Sequence, residues 1–98
     1  MEVLLRKDNL IFKGSFIIDK AIEMKEVLMK TLEKTKNVEN INIDLSKVEE
    51  IDSSAIQLII SFCKSLEQEE KKFDLINVND NISQLLKLTG LNKFFKLD

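Results

Sequence analysis

From Asn40 to Ser46 the residues Asn40-Ile41-Asn42-Ile43-Asp44-Leu45-Ser46 alternate strictly between polar and apolar. A period of two is the signature of an extended strand with one face buried. Asn42 and Asp44 then share the face opposite Ile41, Ile43 and Leu45. Past Val48 the period changes: Ile51-Asp52-Ser53-Ser54-Ala55-Ile56 leads from an acid and two hydroxyls into an apolar run, with Ile56, Ile59, Ile60, Cys63 and Leu66 at helical spacing. Asp52 or Ser53 supplies the N-cap, its side-chain oxygen accepting from an N–H of the first turn. The other hydroxyls stand at the positive end of the helix, where a phosphate on Ser53 or Ser54 meets a favourable field. Plain capping is the commonest use of Ser and Asp here, so capping and modification stand as alternative readings of the same residues.

A strand feeding a capped helix predicts its neighbours. Val3-Leu4-Leu5-Arg6 and Asn9-Leu10-Ile11-Phe12-Lys13 read as two short strands around a tight turn, with Asp8-Asn9 supplying turn-tolerant residues. Gly14 is expected to break that pattern, leaving Phe16-Ile17-Ile18 as an extended link. Asp19 to Lys36 has helical period, with Ala21, Met24, Leu28 and Leu32 on one face, Asp19 as cap, lysines in the last turn and Asn37 closing it. After the serine helix, Glu67 to Lys72 reads as a fraying polar tail. Phe73 to Val78 reads as a strand, and Asn79 or Asp80 caps a short helix carrying Ile82, Leu85, Leu86 and Leu88 that ends at Gly90. Leu91 is expected to fold back onto that helix, and Phe94-Phe95-Lys96-Leu97 to form a last strand. The order predicts an α/β fold: a four- to five-stranded, mixed but largely parallel sheet, with three helices packed mainly on one face through right-handed crossovers.

Composition narrows the function. The 98 residues fit a single domain spanning 1–98 with one core. The formal net charge is -2, and Arg6 is the sole arginine among fifteen basic residues, a poor match to nucleic-acid binding, which leans on clustered basic charge and on arginine forks. Trp and Tyr are absent, so base-stacking platforms are not expected. With no histidine, the chain lacks the commonest general base and transition-metal ligand, and no glycine-rich phosphate loop occurs, so neither an enzyme, a cofactor nor a metal is expected. An Asp44 and Asp52 carboxylate pair is the weakest of the functional readings. Cys63, the single cysteine, sits on an apolar helix face as an inert thiol. No apolar run approaches a membrane span and no signal-peptide pattern opens the chain, so a cytoplasmic location without membrane insertion is expected.

Three segments together resemble the STAS domain, the fold of bacterial anti-sigma-factor antagonists. They are Gly14 ahead of the first helix, Ile43-Asp44-Leu45-Ser46 leading through Val48 to Ile51-Asp52-Ser53-Ser54-Ala55, and Leu85-Leu86-Lys87-Leu88-Thr89-Gly90-Leu91. The resemblance implies a noncatalytic regulatory domain. In the antagonists it resembles, a partner that is both serine kinase and anti-sigma factor phosphorylates the hydroxyl residue after the Asp. That position is Ser53, with Ser54 as second choice. The resemblance further implies a partner-binding surface drawn from Asp52, Ser53, Ser54, Ala55, Gln57, Gly14 and Asp44. Where the family usually has Gly-Leu after the two hydroxyls, this chain has Ala55-Ile56. Ile17 stands where an Asp is frequent, and the chain stops after its last strand without a closing helix. Gln57 is more like STAS domains of chemotaxis systems or of phospholipid-transport ABC complexes. The alternative implied is therefore an unphosphorylated adaptor whose partner is a transporter ATPase or chemotaxis protein. In either case a monomer or weak homodimer is expected, paired through a sheet edge.

Overall fold

A computed structural model of the chain describes residues 1–17, 19, 21–88 and 90. Its elements in chain order are strand β1 (Glu2–Arg6), strand β2 (Asn9–Phe16), helix α1 (Ala21–Lys34), strand β3 (Asn40–Ile51), helix α2 (Ser53–Gln68), strand β4 (Lys72–Ile76) and helix α3 (Asp80–Leu88). The strands form one mixed sheet in the order β1-β2-β3-β4. The β1–β2 pair is antiparallel and the other two pairs are parallel.

The first hairpin turns at Lys7-Asp8, with Lys7 at φ 56, and Arg6 pairs with Asn9 across it. A positive φ at the first central residue matches the right-handed twist of the flanking strands. β2 does not stop at Gly14, as the sequence reading expected. It continues to Phe16, with Gly14 at φ +98, a conformation that costs glycine little and other residues much. The Phe12 and Phe16 rings flank that glycine in the chain, tilted at 45° with centroids 5.6 Å apart.

β3 is also longer than its alternation suggested. Its register against β2 shifts twice, between Ile11 and Lys13 and again between Gly14 and Ser15, each time giving β3 one residue more than its partner. These are β-bulges. Each inserts an extra residue, so the buried positions run Ile41, Ile43, Leu45, then Val48, with Ser46-Lys47 and Glu49-Glu50 exposed as pairs. A period of two could not register a strand that counts in threes after Leu45.

Val3, Leu10, Phe12, Ile41, Ile43, Leu45 and Leu75 are buried on one sheet face, in a single apolar cluster with Met24 and Leu28 of α1, seven residues of α2, and Ile82 and Leu86 of α3. All three helices thus contribute to one core. In α1 the predicted stripe holds at Met24 and Leu28, but Thr31 is buried as well, as is Thr35 just past the helix end. Their hydroxyls are satisfied within the helix: Thr31 Oγ1 donates to the Val27 carbonyl at 2.7 Å and Thr35 Oγ1 to that of Leu32 at 3.1 Å. The end of α1 is closed by Lys71, whose Nζ donates to the carbonyls of Lys36 at 2.9 Å and Val38 at 2.8 Å.

The polar tail of α2 is ordered. Lys71 N–H donates to the Leu66 carbonyl and Glu70 N–H to that of Glu67, with Glu70 at φ 62. This is a Schellman cap with glutamate in the left-handed position usually held by glycine. Asn79, rather than Asp80, caps α3, its Oδ1 accepting from Ile82 N–H at 2.9 Å. Gly90, at φ 75, follows that helix and donates to the Lys87 carbonyl at 3.1 Å. The expected strand at 94–97 and the return of Leu91 lie outside the described residues.

Candidate functional site at the start of the second helix

The junction of β3 and α2 is held from two sides. Asp52, in extended conformation at φ -112 and ψ 173, caps α2, its Oδ1 accepting from Ala55 N–H at 2.8 Å. Its own N–H donates to the Phe16 carbonyl at 3.2 Å, tying the junction to the end of β2. Ser53 then opens the helix as an exposed residue, while Ser54 is half-buried and Ala55 and Ile56 are buried. A small residue suits position 55, where the first turn sits against the core at 1% exposure. Gln57, one turn after Ser53, is exposed, and residues four apart lie on one helix face. Ser53 and Gln57 thus lie on one exposed helix face, with the half-buried Asp52 and Ser54 adjoining Ser53 in the chain.

A groove of about 250 Å³ begins at Ile51, the residue before the cap, and runs between β3 and α3. Val48, Ile51, Ile82 and Leu85 give it an apolar floor, and Glu49, Glu50, Asn79 and Asn81 a polar rim. Reading the sequence missed these rim residues. The only local signal was the acidic pair Glu49-Glu50, which the bulge in β3 turns outward together.

Gly14 and Asp44 do not join this surface. Gly14 pairs with Val48, four residues ahead of Asp52, and a Cβ there would lie 3.0 Å from the backbone nitrogen of Met1. Its role is to let β2 pass close to the start of β1. Asp44 sits in mid-strand between Ile11 of β2 and Ile76 of β4, roughly 20 Å along β3 from the cap by the rise of a strand. Its Oδ1 accepts from Ser46 N–H at 2.8 Å and its Oδ2 from Asn77 Nδ2 at 3.1 Å. Burial works to raise its pKa, but the Ser46 N–H and hydroxyl, the Asn77 amide and the charge of Lys47 outweigh it and hold the carboxyl below its ordinary 3.8. Cys63 is fully buried; burial, with the charge of Glu67 adding to it, pushes the thiol up to about 12, so it stays protonated and unreactive at neutral pH. Among the described residues no group of three or more acidic, cysteine or histidine side chains is placed to hold a metal ion, and no helix is long and apolar enough to cross a membrane.

The family model of the STAS domain matches residues 6–98, which takes in every element from β2 onward and the last residue of β1. The chain belongs to the STAS domain family. The anti-sigma-B factor antagonist of Staphylococcus aureus is 32% identical to this STAS domain over 69 residues, 70% of the chain. The chain spans 62% of the length of that relative. A crystal structure of a Thermotoga maritima protein superposes with a TM-score of 0.74 at 26% identity, covering 97% of this chain and 82% of that one. The fold is also that of the anti-sigma factor antagonist SpoIIAA. Its unphosphorylated form matches with a TM-score of 0.70 at 14% identity, covering 94% and 82% of the two chains. The phosphorylated form of the Bacillus protein matches at 0.62 and 15%, covering 94% and 85%.

Proposed function

We propose that residues 1–98 act as one folded, noncatalytic binding module of the anti-sigma-factor antagonist kind, docking on a protein partner through the surface of Asp52, Ser53, Ser54 and Gln57. Phosphorylation of Ser53 by that partner, a serine kinase that also holds a sigma factor, switches the contact off. The observation that carries this reading is the exposed Ser53 opening a helix whose cap is already supplied by Asp52. Modification of Ser53 therefore leaves the capping hydrogen bond in place. The antagonist names of the relatives and the solved phosphorylated form of SpoIIAA support the same reading.

The physics of the switch is local. A phosphate adds about -1.5 to -2 charges at neutral pH beside Asp52, on a surface that must lose water to dock. The positive end of α2 stabilises that charge within the domain, so the fold survives while the docking face becomes more negative and bulkier. No catalytic group is required of this chain. The kinase supplies ATP and the base that takes the hydroxyl proton.

Titration of the purified kinase partner with three forms of the chain tests this. Ser53→Ala should bind as tightly as the unmodified protein whether or not ATP is present. Ser53→Asp should bind about tenfold more weakly or worse, a loss of about 1.4 kcal/mol. Equal affinity for all three forms would remove Ser53 from the switch.

A further inference from the structure

β1 lies at one end of the sheet, paired on one side with β2. Arg6 and Asn9 close a two-residue turn, the position at which both backbone groups bond across a hairpin. Alternation from there turns the N–H and C=O groups of Arg6, Leu4 and Glu2 toward β2 and those of Val3 and Leu5 outward. Among the described residues no strand pairs with that outward edge. Its sequence, Glu2-Val3-Leu4-Leu5-Arg6, has opposite charges at its two ends and an apolar centre.

We propose that β1 is a homodimerisation edge, two copies pairing antiparallel about a two-fold axis through Leu4. In that register Val3 faces Leu5 of the second copy through the outward backbone groups, giving two pairs of hydrogen bonds. Leu4 meets its own counterpart side by side. Glu2 and Arg6 lie on the same sheet face as Leu4, both exposed, and each stands directly opposite the other's counterpart. A symmetric interface must be complementary to itself, and this strand is. The opposite edge fails the same test. Antiparallel pairing of β4 about its centre sets Asp74 against Asp74, and like charges directly opposite destabilise a strand pair. The result is a continuous eight-stranded sheet with the α2 starts on both copies left open. A five-residue edge buries little area, so the dimer is weak and concentration-dependent.

Sedimentation equilibrium of the full chain at low ionic strength, over a series of rising concentrations, tests the proposal. The mass should climb from one copy toward two. Glu2→Arg and Arg6→Glu each set like charges opposite each other at both ends of the pair and should raise the dimer Kd by about fivefold or more. The double exchange Glu2→Arg/Arg6→Glu should restore it, and an equimolar mixture of the two single variants should associate better than either alone. Both side chains are exposed, and thermal melts of the variants at monomeric concentrations check that the fold is kept. A chain that stays a single copy throughout, or a dimer indifferent to the single charge reversals, would overturn the pairing.

Discussion

Asp52 holds the candidate site together, and Ser53 uses what it holds. The cap bond to Ala55 N–H and the backbone bond to Phe16 fix where α2 begins, and this leaves the next side chain in solvent. Removing the two roles separately distinguishes them. Asp52→Ala should lower stability by about 1 kcal/mol, the usual cost of a lost N-cap, read from the midpoint of urea unfolding. Ser53→Ala should shift it by no more than about 0.5 kcal/mol. The reverse order would mean that Ser53 is the cap and that its hydroxyl is committed to the helix. Asp52 or Ser53 as cap was as far as the residues themselves reached, because either side chain has the reach and only the backbone path decides between them. Gln57 entered only through the family resemblance, and its place one turn after Ser53 came with the structure.

At the scale of elements, the parts most legible in the sequence were those whose period is undisturbed. β1, α2 and the strand from Asn40 to Ser46 stand where their patterns put them. The bulges in β3, the passage of β2 through Gly14 and the ordered tail of α2 were not legible, since each depends on a partner distant in the chain or on a non-glycine at positive φ. Asp44 shows the same limit. Its resemblance-derived place among the docking residues is not matched by proximity, and its bond to Asn77 instead ties β3 to the end of β4. That bond has a pH signature. A carboxyl held below 3.8 adds stability that is fully present above that value and lost as pH falls through its depressed folded value. Acid unfolding followed by circular dichroism should therefore show a shallower loss below pH 3.8 for Asp44→Asn than for the parent chain. Superimposable acid limbs would mean that Asp44 contributes no such link.

For the molecule as a whole, the alternation of strands and helices was enough to give a mixed, largely parallel sheet with its helices sharing one core, because crossover handedness leaves few other arrangements. The function proposed for that fold rests on a few side chains at one corner of it. Ala55 and Ile56 are buried in the core while Ser53 and Gln57 are exposed, so in the proposed switch a charge added at Ser53 would alter the surface without disturbing the packing beneath it. The switch proposed above would need no second conformation. The switch proposed above requires that Ser53 carry a phosphate in the living cell. Peptide mass spectrometry on the protein isolated from its native cells, sampled through growth and stress, tests it most directly. A fraction bearing one phosphate on Ser53 should rise and fall with conditions while Ser54 stays bare. A chain carrying no phosphate in every condition, or one modified only elsewhere, would contradict it.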